Sequence, residues 1–451
     1  MKIVIIGLGS IGKTILKSLS GEEHTLTIID DDKDRIEGLI EKYDVQGVVG
    51  NGASLDIQRE AGIGGADVAI ALTGSDELNV FACLVAKKLG AKNTIARVRN
   101  PEYRSQILEM REELGISMIV NPEEDTSTEI FNLISLPEIA KVERFAKGRV
   151  LLVEIVAEKG CSLVGETLIS IGKKLNTKVL ICAVQRGKDV IIPSGNFTIE
   201  EGDRIHFTSD ANVLRAFLSE INMVKSPLKN IMIAGGSRIA YYLADKLSKQ
   251  KYKVKLIESD KHNAEELAED LPRVTVIQGN GTQHDLLIEE GIEAMDAFVA
   301  LTDIDEENMV VSMFANKLGV RKTIAKIKSN NLFGMLSELG INNTVSPKNI
   351  VANRIISYVR ALDNSVGSNV LTLYRLVGDR VEALEFLAKR QEKIYDKPLR
   401  ELKIKDNCLI ACIIRGSEVI IPNGNASIQL GDNVIVVTTH KNFEDLTDIF
   451  E

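Results

Sequence analysis

A cluster of glycines near the amino end supplies the first residues whose spacing indicates chemistry. Residues 7 to 14 read GLGSIGKT, which fits both the Gly7-x-Gly9-x-x-Gly12 pattern of dinucleotide-binding turns and the P-loop pattern that continues into Lys13 and Thr14. Both patterns bind phosphate through backbone N–H groups at the start of a helix. Either match alone is a weak signal, so the flanking sequence must decide between them.

The flanking sequence favours the dinucleotide turn. An apolar strand precedes the glycines and an amphipathic helix follows them; Gly7 permits the tight bend, Gly9 lets a diphosphate approach, and Gly12 lets the helix pack on the strand. Asp30 ends the next apolar run, TLTIID, where a carboxylate can accept hydrogen bonds from both ribose hydroxyls and would repel the 2′-phosphate of NADP. An N-cap preceding a helix is the alternative interpretation of Asp30.

Internal repeats divide the chain into two halves. KIVIIGLGSIG at residues 2–12 returns as NIMIAGGSRIA at 230–240, and VIIPSGNFTIEEGD at 190–203 returns as VIIPNGNASIQLGD at 419–432. Strands alternate with helical segments in each large unit, which predicts a parallel sheet covered on both faces. We therefore predict an α/β fold with two Rossmann-like doubly wound domains, residues 1–137 and 228–360, each followed by a small α+β domain, residues 138–222 and 366–451.

Helical periodicity predicts the inward faces of two helices in the first large unit. In the helix after the glycines, four apolar residues recur at helical spacing, and five more do so after residue 75. The predicted core-facing sets are Ile11, Ile15, Leu16 and Leu19, and then Leu78, Phe81, Ala82, Val85 and Leu89.

The repeat also tests the two phosphate-binding patterns. Tyr241 and Tyr242 stand where Lys13 and Thr14 would have to recur in a second P-loop. What both halves keep is a set of polar residues at the carboxyl ends of strands, where open parallel sheets bind ligands. The matched pairs are Asp30 and Glu258, Asn51 and Asn280, Gly52 and Gly281, Thr73 and Thr302, and Arg97 and Lys326. The dinucleotide interpretation is therefore favoured, although Thr73 and Thr302 can also be ordinary strand ends.

The glycine turn of the second half is altered. Ser237 replaces the glycine nearest the diphosphate, and Ala240 replaces the one that packs helix on strand. The Ser237 hydroxyl and the Arg238 charge could still contact a phosphate. We expect a weaker second site, and its occupancy stays open.

Composition and charge narrow the function classes. The formal net charge of -9 and a pI near 5.4 argue against nucleic acid as a partner. The five cysteines form no C-x-x-C pair and no run approaches the length of a membrane helix, so we expect reduced thiols and a cytosolic location. None of the five histidines is echoed between the halves, which indicates solvated or capping roles, and no metal-ligand spacing is present.

These features favour a sensor over an enzyme. A dehydrogenase needs a substrate domain with a proton donor, whereas the added units here are short, duplicated and without an acid or base set. A soluble NAD-dependent oxidoreductase of unknown substrate, and a metabolite-binding module without a channel partner, stay as alternatives.

The ordered motifs KIVIIGLGSIGKTILKSL, TIID, GNGAS, ALTGSDELN and IARVR, with their echoes, resemble the regulator of potassium conductance domains, called RCK or KTN. The double arrangement resembles the peripheral regulatory subunits of Trk-type potassium uptake systems. The resemblance implies a non-enzymatic protein at the inner face of the membrane that binds NAD(H), or ATP and ADP at the same site, forms a ring as a dimer or tetramer, and gates a Trk-type channel membrane subunit. The binding residues it implies are Gly7, Leu8, Gly9, Ser10, Ile11, Gly12, Asp30, Asn51, Gly52, Thr73, Gly74 and Arg97, then Gly236, Ser237, Arg238, Ile239, Glu258, Asn280, Gly281, Thr302 and Lys326.

Overall fold

Six parallel strands form the sheet of the first Rossmann-like domain. The strand order is β3-β2-β1-β4-β5-β6, the doubly wound order that the alternating pattern predicts. Its elements are β1 Lys2–Ile6, α1 Ser10–Leu19, β2 Thr25–Asp30, α2 Lys33–Ile40, β3 Gln46–Val49, α3 Leu55–Glu60, β4 Val68–Ala71, α4 Asp76–Leu89, β5 Asn93–Arg97, α5 Pro101–Glu109, β6 Met118–Val120 and α6 Pro122–Ser135. The computed structural model describes residues 1–135, 141–145, 150–177, 179–210, 213–223, 228–329, 341, 343–367, 370–376, 380–389, 392, 394–416, 418–440, 443 and 445–451.

The inward faces of α1 and α4 differ in how well the sequence predicts them. All four predicted residues of α1 are buried, as expected. In α4 the prediction for Phe81 is wrong, because its side chain is 54% exposed while Ala82, Cys83 and Ala86 face the core. Small residues let this helix lie close to the sheet, which turns the larger side chain outward.

The second Rossmann-like domain repeats the first. Its sheet has the order β14-β13-β12-β15-β16-β17, again all parallel. Its elements are β12 Asn230–Ala234, α9 Arg238–Lys249, β13 Lys253–Glu258, α10 Lys261–Asp270, β14 Thr275–Gln278, α11 His284–Glu289, β15 Ala297–Ala300, α12 Asp305–Lys317, β16 Lys322–Lys326, β17 Thr344–Val345 and α13 Pro347–Gly367.

Helix α6 of the first half packs into the second half. Ile130 and Ile134 are buried in one core cluster with Leu243 and Leu247 of α9. Because the core is shared in this way, residues Met1–Ser135 and Leu228–Val359 form a single compact unit.

The small domains form the second compact unit, made of Leu136–Pro227 and Arg360–Glu451. Each has a five-stranded antiparallel sheet, with the orders β10-β9-β11-β8-β7 and β18-β19-β22-β20-β21. Their elements are β7 Lys141–Phe145, β8 Val150–Val156, α7 Leu168–Lys174, β9 Leu180–Arg186, β10 Asp189–Ile191, β11 Arg204–Asp210 and α8 Leu214–Glu220, then β18 Val370–Leu376, β19 Val381–Leu387, β20 Cys408–Arg415, β21 Glu418–Ile420 and β22 Asn433–Thr438. The two sheets share a core that includes Leu152 and Ile435, and the Thr208 hydroxyl donates to the carbonyl of Ala411 at 3.0 Å.

Candidate functional site

A cleft of about 530 Å³ opens at the carboxyl ends of the strands of the first Rossmann-like domain. Ten of the twelve residues predicted for the first site line it: Gly7, Leu8, Gly9, Ser10, Asp30, Asn51, Gly52, Thr73, Gly74 and Arg97. The other two lie behind or beside it, since Gly12 packs under the turn and Ile11 lines a second cavity. The sheet topology thus brings together residues that are spread over ninety positions of sequence.

The glycine turn has separate geometric requirements at each glycine. Gly7 has φ +90°, and a Cβ there would lie 2.8 Å from the backbone of Leu72 and Thr73. A Cβ on Gly12 would lie 2.3 Å from the carbonyl oxygen of Gly7, whereas one on Gly9 meets nothing within 4 Å. Gly7 and Gly12 therefore build the turn, and Gly9 leaves open space at the cleft.

This difference predicts that Gly12→Ala destabilises the first domain by about 1–3 kcal/mol, because its methyl group collides with a backbone oxygen. The matched change Gly9→Ala should alter the free energy of unfolding by less than about 0.5 kcal/mol. Urea unfolding of the two variants, followed by hydrogen exchange in β1 and α1, measures both. Equal losses would contradict the geometry.

Asp30 organises the turn as well as facing the cleft. Its Oδ2 accepts the N–H of Leu8 at 2.6 Å, and its Oδ1 accepts Nη1 of Arg35 at 2.8 Å. Burial opposes ionisation, but these donors and the N–H of Asp32 outweigh it and hold the pKa of Asp30 below its usual value. The N-cap of α2 is Asp32, whose side chain accepts the N–H of Arg35, so the N-cap interpretation of Asp30 is wrong.

Arg35 is a cleft residue that the sequence analysis missed. Its guanidinium bridges Asp30 and Asp32, at 2.8 and 2.9 Å, and its side chain lines the cleft. The sequence feature that could have identified Arg35 is its position in the first turn of α2, five residues after Asp30 at the end of β2. At the matching place in the second half Asn263 donates instead to the carbonyl of Gly236, at 3.1 Å.

In each half, one asparagine side chain links the ends of the fourth and fifth strands by hydrogen bonds. Asn79 is fully buried; its Oδ1 accepts the N–H and hydroxyl of Thr73, at 2.7 and 2.8 Å, and its Nδ2 donates to the carbonyl of Arg97 at 3.0 Å. Asn308 makes the same bonds to Thr302 and Lys326, at 2.9, 2.9 and 3.0 Å. In each half this asparagine fixes the backbone of the residue that carries the predicted cation.

Arg97 places an incompletely satisfied cation at the edge of the cleft. It donates from Nη2 to the carbonyl of Thr73, while its buried Nε has no hydrogen-bond partner in the part of the chain that the structure describes. Burial lowers the pKa of Arg97, and the positive charge of Arg99 lowers it further. An anion in the cleft would relieve both effects.

The residues predicted for the second half do not gather at one cleft as those of the first half do. Glu258 accepts the N–H of Gly236 at 2.6 Å, which matches the bond from Leu8 to Asp30. Side chains crowd this turn, because a Cβ on Gly236 would lie 2.5 Å from Glu258 and 2.7 Å from Leu267. Asn280 caps its own loop by accepting the N–H of Thr282 at 2.9 Å, and Gly281 packs against Ala234.

A second cavity of about 600 Å³ lies between the two Rossmann-like domains. The second-half predictions Ser237, Arg238, Ile239 and Lys326 line it, together with Ser10, Ile11 and Arg97 of the first half. The remaining lining residues are Arg99, Pro122, Glu123, Asp303, Lys328, Ser346, Pro347 and Lys348. Ser10 and Arg97 line both cavities, so the two adjoin each other.

Two further features are absent from the part of the chain that the structure describes. No group of three His, Cys, Asp or Glu side chains there is arranged to hold a metal ion, and no described helix has the length and apolar character of a bilayer span. The expectation of a solvated or capping histidine is wrong for His206, which is 2% exposed in β11.

The fold and the clefts define a duplicated protein in which a Rossmann-like domain and a small antiparallel domain alternate twice. The TrkA-N domain model matches residues 3–122 and 231–347, and the TrkA-C domain model matches 152–222 and 384–451. The chain belongs to the TrkA family of potassium uptake proteins.

Relatives match over the whole chain. The Trk system potassium uptake protein TrkA of Vibrio alginolyticus is 32% identical over 100% of this chain and 99% of its own length. The corresponding protein of Haemophilus influenzae is 31% identical, with the same coverage of both chains. Among solved structures, the GsuK RCK domain has a TM-score of 0.62 at 18% identity, covering 98% of this chain and 92% of that one, which shows the shared fold.

Proposed function

We propose that the chain is the nucleotide-sensing regulatory subunit of a Trk-type potassium uptake channel. It binds NAD(H), or ATP and ADP, in the first cleft and controls potassium flux through a separate membrane subunit at the inner face of the cell membrane. Its family membership and the names of its relatives support the role in potassium uptake. A structure of the GsuK channel bound to NAD has the same fold, with a TM-score of 0.61 at 18% identity.

The observation that carries the proposal is the arrangement around Asp30. The turn after β1 leaves an open face at Gly9, the first turn of α1 presents its free N–H groups there, and Arg97 adds a cation. These groups favour a diphosphate. The ionised Asp30 and the Asn51–Gly52 loop lie at neighbouring strand ends, where an adenosine would sit.

In this proposal the second half binds nucleotide more weakly or acts only as a partner surface for the first. The side chains of Glu258 and Leu267 occupy space around Gly236, and Ser237 stands where the first half has its open glycine. The ligand then shifts the packing between the Rossmann-like domains. In this proposal that packing has two alternative arrangements, and the ligand favours one of them.

Self-association into a ring is part of the proposal. Matching positions on α4 and α12 carry exposed apolar side chains: Phe81 and Val310 are 54% and 57% exposed, and Leu84 and Met313 are 37% and 38% exposed. Apolar residues exposed at equivalent places on both halves favour contacts with further copies of the chain.

The testing experiment is calorimetry of NADH, ATP and ADP with the full chain. Asp30→Ala should weaken binding about 30-fold, because it removes a charged hydrogen-bond acceptor and loosens the turn. Asp34→Ala is the matched control, since Asp34 is exposed in the first turn of α2 and does not line the cleft. Asp30→Asn, which keeps the shape of the side chain, separates loss of charge from loss of folding.

Potassium flux in vesicles that contain the membrane subunit completes the test. Wild-type chain should make the flux depend on nucleotide, and Asp30→Ala should abolish that dependence. Unchanged binding by Asp30→Ala, or steady turnover of NADH with hydroxy or keto acids, would overturn the proposal, the latter in favour of an oxidoreductase.

A further inference from the structure

The cavity between the Rossmann-like domains has an excess of positive charge. Among the residues that the structure describes, six cationic side chains line it: Arg97, Arg99, Arg238, Lys326, Lys328 and Lys348. Two carboxylates of the same described set line it, and both are already paired. Glu123 accepts Nε of Arg99 at 2.8 Å, and Asp303 accepts Lys328 at 3.1 Å and Lys326 at 3.5 Å.

The cationic side chains of this cavity that are not paired with a described carboxylate include two from the second half. Among the residues that the structure describes, Lys348 and Arg238 have no carboxylate within 4 Å. Lys326 is 3% exposed, and burial lowers its pKa, which shows that water does not solvate this charge fully. A cluster of this kind is stabilised by an anion from outside the chain.

The start of α13 differs from that of its counterpart α6 in how the residue before the helix is used. Before α6, the Oδ1 of Asn121 accepts the N–H groups of Glu123 and Glu124, at 3.0 and 3.1 Å. Before α13, the matching residue is Ser346, which is 4% exposed and whose buried Oγ has no hydrogen-bond partner among the described residues. A buried hydroxyl without a partner is unfavourable, so its presence points to a missing ligand.

The charge at the two helix starts is also reversed. Glu123 occupies the second position of α6, where a negative side chain suits the helix dipole, whereas Lys348 occupies the second position of α13. A lysine there adds positive charge to a helix end that is already positive. Lys348 therefore destabilises the start of α13 when no anion is bound and favours the binding of an anion there.

We propose that this cavity binds a phosphate group at the N-terminus of α13, held by Ser346 and Lys348 and faced by Arg238 from α9. The N–H groups of the first turn, a hydroxyl and two cations form a donor set suited to a tetrahedral oxyanion. The excess of positive charge excludes a metal ion. Binding joins the starts of α9 and α13 within the second Rossmann-like domain and caps a 21-residue helix.

Two sources can supply the phosphate group. One is free inorganic phosphate. The other is the terminal phosphate of a nucleotide in the first cleft, since Ser10 and Arg97 line both cavities. Only the second source rests on the proposed function, so the two are tested in separate arms.

The first arm measures hydrogen exchange in the first turn of α13 with and without inorganic phosphate. Free phosphate should slow exchange there at least threefold in wild type and leave Lys348→Glu unchanged. The second arm compares ATP with ADP by calorimetry. If the phosphate group belongs to the nucleotide, ATP should bind about tenfold more tightly than ADP, and Lys348→Glu or Ser346→Ala should bring this ratio close to one.

The matched control is Lys253→Glu, the same charge reversal at an exposed residue that starts β13 at the opposite end of the sheet. Its exchange and its ATP to ADP ratio should equal those of wild type. If neither arm responds to Lys348→Glu, or if Lys253→Glu has the same effect, the proposed site is wrong. If no nucleotide binds but phosphate still protects α13, the proposed function fails while this site stands.

Discussion

Asp203→Asn is expected to destabilise the first small sheet by about 2–4 kcal/mol, the largest effect of any polar substitution we predict. Asp203 is 1% exposed and accepts Nε and Nη2 of Arg186, at 2.8 and 2.7 Å, and also the N–H of Glu200 at 2.9 Å. An amide in its place would turn an NH₂ group toward one of these donors. The range is below that of fully buried pairs because the Arg186 side chain is 34% exposed.

The control substitution is at Glu200, a second carboxylate that Arg186 contacts. Glu200 accepts Nη1 of Arg186 at 2.6 Å, but the Glu200 side chain is 63% exposed. Glu200→Gln should therefore cost less than about 1 kcal/mol. The second small domain agrees, because Arg415 and Asp432 repeat the buried pair while Gln429 already stands in place of Glu200.

Hydrogen exchange of β9 and β11 in the full chain measures the loss, since tyrosine is absent from residues 138–222 and fluorescence would not report on this domain. Burial raises the pKa of Asp203, but the bonds from Arg186 and Glu200 outweigh it and leave the pKa lowered. A lowered pKa means that the contribution is complete above the unfolded value of about 3.9 and is lost as pH falls through the folded value. The difference between wild type and Asp203→Asn should therefore shrink below about pH 4; a loss that stays constant would contradict an ionic origin.

The sequence predicts those features whose causes are local or repeated. Gly7 needs φ +90°, Gly235 repeats it at φ +98°, and both follow buried strands, so the turn could be recognised without a structure. The doubly wound parallel sheets followed from the alternation of strands and helices. Asp30 could be placed at the cleft because strand ends meet at one edge of a parallel sheet.

Features that depend on packing between distant segments could not be predicted. Phe81 looked like a core residue by periodicity, but the small side chains of Ala82 and Ala86 decide which face of α4 contacts the sheet. Glu123 and Lys348 each look like ordinary first-turn residues, and only the packing of α6 against α9 brings them to one cavity. Arg35 was missed for a different reason, because its contact with Asp30 spans a loop and a helix start that no standard motif describes.

Helix α6 leads to the second strong prediction, in which a substitution in one half destabilises the other. Ile130→Ala should lower the stability of the second Rossmann-like domain by about 2–4 kcal/mol, because it leaves a cavity among buried residues of that domain. Ile130 is fully buried, beside Ile239 and Leu243 in one core cluster, and Phe131 next to it packs edge-on against Tyr252 with ring centroids 6.4 Å apart. Exchange should therefore accelerate in β12 and α9.

Ile15→Ala is the matched control, since Ile15 is also fully buried but lies on α1 of the first domain. It should accelerate exchange in β1 and β2 instead. If Ile130→Ala acts on the first domain alone, the shared core does not couple the halves. Coupling through α6 matters for the proposed sensor, because the cavity that adjoins the proposed nucleotide cleft exists only while the two domains stay packed. A ligand that bridges them binds the packed arrangement that Ile130 stabilises. Ile130→Ala should therefore also weaken ATP binding while leaving Asp30 and the glycine turn intact.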